Sequence, residues 1–253
     1  MRADQIAIQL YTLRDQTARD MIGTLHRVAD LGYGAVEFAG FGNATSTEIV
    51  SALTARGLRP IAAHIPLYEL RRRPERVIDE LATIGCSFVI IPWLAKKEYR
   101  SREAVKRLAS EITELSARLA PSGLRLGYHN HDFEFASPDR TGLWDSLVNA
   151  VPPTVLFELD VYWATYAGMS PAALIAELGE RIKLLHMKDM APGPDRAIVP
   201  PGGGLLPWAE IVSAGRRTGV EWYVVEIDNQ SDPLTAAASG LAFLKSLATS
   251  ATG

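Results

Sequence analysis

The chain has 253 residues, of which 47% are hydrophobic and 22% charged, and a formal net charge of −3. That balance carries no basic footprint for nucleic acid, and the lone Cys86 excludes an intrachain disulfide and a cysteine-rich zinc site. No apolar run reaches the roughly 20 residues that span a bilayer, and the first residues lack the basic segment and apolar core of a secretory leader; a cytoplasmic protein with one domain over 1–253 is expected.

In chain order, Gln5 to Tyr11 reads as a first strand. The helix after it places Met21, Ile22, Leu25, Val28, Ala29 and Leu31 near helical spacing and stops at Gly32-Tyr33-Gly34. Ala35-Val36-Glu37-Phe38 is a second strand, and Ser46 is positioned to cap a helix through Ile49, Leu53 and Ala55 to Gly57. A strand from Pro60 to His64 follows, then Arg71-Arg72-Arg73, read as a solvated helix start, and a helix over about Pro74–Ile84 closed by Gly85. Cys86 is expected as a buried thiol before the strand Phe88-Val89-Ile90-Ile91-Pro92, and a long helix over about 101–119 comes next.

The second half continues the alternation. A strand ends in Tyr128-His129-Asn130-His131, and a helix covers about 142–150. A strand ending in Glu158-Leu159-Asp160 leads to a helix at Ser170-Pro171, where Ser caps and Pro fits the first turn. Strands ending at His186 and Glu226, with helices over about 207–218 and 233–247, complete eight strands and eight helices, with a frayed tail from Ala248. The strand ends Gln9, Glu37, His64, Pro92, His129, Asp160, His186 and Glu226 recur every ~26 to 40 residues, the spacing of repeated βα units. No G-x-G-x-x-G or Walker-type loop argues for a doubly wound sheet. The expected fold is α/β, a single-domain (β/α)8 barrel. Its two long loops, at about 131–141 and 189–207, are candidate substrate covers or rigid Ω-loops.

Strand side chains alternate between faces, so His129 and His131 share one. Apolar strands that repeatedly finish in His, Asp or Glu describe a ring of ligands at the end of a parallel barrel where such folds keep their chemistry. His129, Asp160, His186 and Glu226 are a mixed nitrogen and oxygen set that suits Mn, Co, Zn, Fe or Ni better than Mg. One such divalent ion chelates neighbouring hydroxyl and carbonyl oxygens of a sugar and stabilises the enediolate formed when a proton leaves the adjacent carbon. Glu158, Glu37 and His64 are candidate bases. Each also has a plainer reading: Glu158 orienting a ligand, Glu37 pairing with a basic neighbour, His64 as a satisfied histidine at the barrel mouth. Lys188 suits a substrate oxygen or phosphate, or pairs with Asp189, and Arg196 is a further phosphate candidate. Tyr11, Trp93 and Trp163 are either stacking surfaces or core, and His26 is surface.

The ordered set Gln9-Leu10-Tyr11, Val36-Glu37, Ala63-His64, Tyr128-His129-Asn130-His131, Glu158-Leu159-Asp160, His186-Met187-Lys188-Asp189 and Val225-Glu226 resembles the sugar phosphate isomerase/epimerase family with its xylose isomerase-like TIM barrel. The resemblance spans nearly the whole chain. It implies one divalent metal, manganese favoured, on Asp160, His186 and Glu226. It departs at strand five, where His129 stands for the epimerases' metal-binding, proton-shuttling Glu, and at strand six, where Trp163 stands for the His of Asp-x-x-His. The Tyr-His-Asn-His variant is similar to the branch near inosose dehydratase-like proteins.

The expected function is therefore a metal-dependent isomerase or epimerase of a small keto-sugar or related polyol carbonyl. Catalytic candidates are Glu158, His64 and Lys188; substrate-binding candidates are Gln9, Tyr11, Glu37, His64, Trp93, His131, Trp163 and Lys188. The alternative is a lyase that expels a β-hydroxyl from a keto-sugar or keto-inositol. An endonuclease IV-like hydrolase and a non-catalytic sugar-binding barrel are weaker alternatives. The expected partner is a small-molecule sugar, with no nucleic acid and no membrane, and relatives of this kind form homo-oligomers.

Overall fold

Short apolar runs alternate with amphipathic helices, and each run becomes one stave of a barrel. In a computed structural model describing residues 1–136 and 142–249, the staves are β1 (Ile6–Gln9), β2 (Ala35–Phe38), β3 (Arg59–His64), β4 (Phe88–Ile91), β5 (Arg125–His129), β6 (Leu156–Asp160) and β7 (Ile182–Met187). A two-stranded hairpin of β8 (Asp189–Met190) and β9 (Ile198–Val199) precedes the last stave, β10 (Trp222–Val225). All barrel pairings are parallel, and β10 closes the ring by pairing with both β7 and β1. The expected (β/α)8 barrel is the observed fold.

Local chemistry sets the helix ends. Thr45, rather than Ser46, caps the helix Ser46–Arg56, because its hydroxyl accepts from the Glu48 amide while the Glu48 carboxylate reaches back to the Thr45 amide. Gly57 ends that helix at φ 63°, a left-handed conformation that suits a residue without Cβ. The helix Pro74–Ile84 ends at Gly85, as expected. Arg71 and Arg72 close a short helix, Leu67–Arg72, instead of starting one. Nor is Arg71 simply solvated: it holds Glu98 at 2.8 Å and Glu111 at 2.6 Å. Further short helices after β1 (Arg14–Arg19) and β6 (Val161–Tyr166) were not visible in the apolar spacing.

Alternation along the strands builds the barrel interior in layers. An apolar cluster includes Ala7, Ala35, Ala62, Ile90, Leu156, Leu184 and Val224, all buried. Two residues further along the same strands stand Gln9, Glu37, His64, Glu158, His186 and Glu226, so the polar ring rests directly on an apolar floor. A second core packs the outer strand faces against the helices and includes Cys86, Trp144 and Phe157.

The two long loops are built differently. From residue 189 onward the chain folds onto the hairpin and is gathered by the Asp189 carboxylate, which accepts from the amides of Met190, Gly202, Gly204 and Leu206 and from Trp208 Nε1. That favours a rigid loop over a free lid. The other expected loop is described as far as Ala136 and turns through Phe133–Phe135; residues 137–141 and the tail beyond 249 lie outside the described residues. Among the described residues, no helix is long and apolar enough to cross a membrane.

Candidate active site

Strand ends β5, β6, β7 and β10 bring Asp160, His186 and Glu226 together, with ligand atoms all within 4.8 Å of one another and all three side chains buried. His129 adds its Nε2 3.8 Å from Asp160 Oδ2. Its other nitrogen, Nδ1, lies 3.0 Å from Glu158 Oε2. Burial holds the His129 pKa well below the ordinary value, so the ring is neutral. A carboxylate only accepts, so Nδ1 carries the hydrogen and Nε2 turns its lone pair toward Asp160. This is the tautomer a metal ligand needs. Asp160 Oδ1 is engaged by the Trp163 amide because Asp160 caps Val161–Tyr166, and Oδ2 faces the site with Lys188 Nζ 3.2 Å away. Two buried carboxylates beside two imidazoles form a donor set that fits a divalent cation, which would compete with Lys188 Nζ, 3.2 Å from Asp160 Oδ2, for that oxygen.

Beneath this set lies a network of carboxylates and rings. His186 spans two acids, with Nδ1 2.6 Å from Glu226 Oε2 and Nε2 2.7 Å from Glu37 Oε2. Burial opposes its charge, but Glu158, Glu37 and Glu226 together hold its pKa well above the ordinary value. Glu158 Oε2 receives three rings, His64 at 2.7 Å and His129 and His186 at 3.0 Å. Burial would raise the Glu158 pKa, yet His186 and His64 outweigh it and keep the carboxyl ionised. Glu37 is pushed up to about 7 by burial and by the Glu158 charge.

Lys188 stands two residues after His186 and faces three carboxylates, with Nζ 3.2 Å from Asp160 Oδ2, 3.0 Å from Glu226 Oε2 and 3.0 Å from Asp228 Oδ2. Burial would discharge it, but Glu226, Asp160 and Asp228 hold it firmly as a cation. Asp189, the neighbour by sequence, is not its partner, since that carboxylate is spent on the loop.

A cleft of about 1180 Å³ opens above the site and is lined by His64, His129, His131, Trp163, Lys188 and Glu226, with Tyr11 and Trp93 further out. Gln9, Glu37 and Glu158 are fully buried and do not line it. Gln9 and Glu37, expected to bind substrate, and Glu158, expected as a base, thus sit below the cleft surface in this arrangement, as do Asp160 and His186. The rings of His64 and His186 engage both glutamates, and the Gln9 side-chain oxygen is taken by the Tyr11 amide. Arg196 does not line the cleft; it packs on Tyr166 and donates to that residue's carbonyl.

Three further residues shape the site and escaped the sequence reading. Asn130 ties β5 to β6 by accepting from the Asp160 amide at 2.9 Å. Glu134 is buried, accepts from the Tyr128 hydroxyl and holds the His131 amide at 2.8 Å. Asp228 is the third acid on Lys188. Period-two alternation from Glu226 would have found Asp228; the other two depend on loop geometry.

The profile of one family, described as the xylose isomerase-like TIM barrel, matches residues 25–247. The chain belongs to this family. Among solved structures, a sugar phosphate isomerase/epimerase from Parabacteroides distasonis is 23% identical with a TM-score of 0.81, covering 97% of this chain and 94% of its own. The IOLI protein with a binding zinc atom is 16% identical with a TM-score of 0.74, covering 97% and 96%. A probable 3-DHS dehydratase from Bacillus anthracis is 12% identical with a TM-score of 0.76, covering 96% and 98%. At these identities the likeness is one of fold. No curated protein matches the chain. Within the xylose isomerase-like TIM barrel family the members are enzymes, and this chain holds its titratable cluster at the barrel end where such folds place their active sites.

Proposed function

We propose that this xylose isomerase-like barrel is a divalent-metal-dependent isomerase or epimerase acting on a small keto-sugar or related polyol carbonyl compound. The observation that carries the reading is the convergence of Asp160, His186, Glu226 and the lone pair of His129 Nε2 at the base of an open cleft. These four would hold the ion, which when bound supplies a Lewis acid for adjacent carbonyl and hydroxyl oxygens of a substrate.

The chain's own groups handle the proton. His64 lines the cleft, and its Nε2 is oriented by Glu158 Oε2 at 2.7 Å. Burial works against its charge, while Glu37 and Glu158 raise its affinity for a proton. His64 is thus suited to take the proton from the carbon next to the carbonyl and return it to the neighbouring position, a role worth about 10²–10⁴-fold in rate. Glu158 is a positioning residue beneath it. Trp163 and His131, whose ring centroids are 5.6 Å apart, form a side wall.

One observation favours the lyase as a second reading. Lys188 is an ammonium on the cleft wall, whose N–H groups would stabilise the charge building on an expelled β-hydroxyl, while the proton His64 takes from the adjacent carbon would pass to that hydroxyl and release it as water.

The test is elemental analysis of the purified protein beside Asp160→Ala, His186→Ala, Glu226→Ala and His129→Ala, followed by a keto-sugar screen with product mass analysis. Expected are near-stoichiometric metal in the wild type, loss in all four variants, and a product that conserves mass. A product lacking one water assigns the lyase. No metal and no turnover overturns both.

A further inference from the structure

The cleft is larger than a monosaccharide bound at the strand ends requires. Ligand pockets commonly run from about 300 to 1,000 Å³, and this one, about 1180 Å³, exceeds that range. Its outer part leaves the barrel axis and runs over the loops after β2 and β3 toward the helix Pro74–Ile84.

Two features of that outer part bear on what it holds. First, Trp93, Tyr68 and Tyr11 line the cleft while being 55%, 56% and 46% exposed, so three of the five large exposed hydrophobic side chains of the described residues belong to this one cleft. Aromatic faces turned to water beside a polar site are stacking platforms for flat ring faces. Second, every Lys and Arg lining the cleft among the described residues already has an acid: Arg73 holds Glu69, Arg76 holds Glu80, and Lys188 holds three. The wall therefore recognises by stacking and offers no unpaired cation to a phosphate.

We infer that the substrate is an unphosphorylated keto-sugar carrying a second ring through a glycosidic bond, the second ring lying on Trp93 and Tyr68. The inference rests on the sugar reading above and extends it outward. Pyranose and aryl rings share the required flat face, and the experiment distinguishes them.

The metal-loaded protein is titrated calorimetrically with glucose, methyl β-glucoside, cellobiose and 4-nitrophenyl β-glucoside, and the titrations are repeated on Trp93→Ala and Tyr68→Ala. Both positions are exposed, so truncation leaves the core intact. The expected result is at least tenfold tighter binding of a two-ring ligand than of methyl glucoside, a gap that both variants erase while Tyr68→Ala leaves glucose affinity unchanged. A gain confined to cellobiose assigns a second sugar, and one confined to the nitrophenyl glucoside an aryl group. Equal affinity for all ligands overturns the extension and leaves the sugar site standing. No binding of any ligand, glucose included, overturns the extension, and the keto-sugar screen above decides the sugar reading separately. Self-association of the wild type that both variants abolish would give the wall to a second copy of the chain and overturn the inference.

Discussion

Glu158 Oε2 sits 3.0 Å from His129 Nδ1 and thereby decides which nitrogen of that ring faces Asp160. Carboxylate partners of ligating histidines fix the tautomer and ring angle, and their removal typically weakens metal binding about 10–100-fold. Glu158→Ala is expected to lose metal affinity in that range, measured by competition with a chelator of known strength. Unchanged affinity would show that Glu158 does not set the His129 tautomer and would leave it its contacts with His64 and His186.

Lys188→Met removes the ammonium that lies within 3.2 Å of Asp160, Glu226 and Asp228 alike. Breaking a buried ion pair by deleting one partner costs about 3–5 kcal/mol, because the other charge is left behind. Thermal melts of the metal-free variant are expected to show a loss of this order, with Mn²⁺ restoring more stability to the variant than to the wild type. Equal melting temperatures without metal would show that the three acids are already neutral.

Asp189→Ala leaves four backbone amides and the Trp208 indole without their acceptor. Each buried donor left unmet costs about 1–3 kcal/mol. Urea unfolding is expected to show a loss of at least about 3 kcal/mol, accompanied by faster proteolysis within 190–207. A variant with wild-type protease resistance would argue that the hairpin alone orders the loop.

Glu134 supplies the pH dependence with a defined sign. Burial pushes its pKa up to about 7 despite the hydrogen bonds from Tyr128 and the His131 amide. The folded state then holds the proton more tightly than the unfolded chain. The resulting stabilisation is full below about pH 4.5 and is lost as pH rises through about 7, with a slope of at most about 1.4 kcal/mol per pH unit. Glu134→Gln carries no such proton, so the wild-type-minus-variant stability difference should fall between those pH values. A flat difference in chemical denaturation from pH 5 to 8 would refute the assignment.

The barrel was readable because apolar strand bodies ending in His, Asp or Glu impose period two and a common end; Asp160, His186 and Glu226 are among those ends, and the family resemblance set these three apart. Burial depth was not readable. Gln9, Glu37 and Glu158 have the same strand-end signature as His64, yet only His64 reaches the cleft, because imidazoles from other strands cover the acids. Lys188 likewise could not be assigned from its neighbours in sequence: its partners come from β6 and from the chain at and just beyond the end of β10, a choice made by barrel closure. Glu134 and Asn130 act on backbone amides, and such contacts leave no periodicity.

The apolar floor beneath the polar ring has a consequence for isotope labels. Ala7, Ala35, Ala62, Leu156, Leu184 and Val224 lie as a buried apolar layer below the acids and imidazoles. Hydrogen exchange between these groups and bulk solvent is then routed through the cleft mouth. Under the isomerase proposal, a deuterium taken from the substrate would reach the medium only through that mouth, so partial label retention in the product would be the signature of this floor.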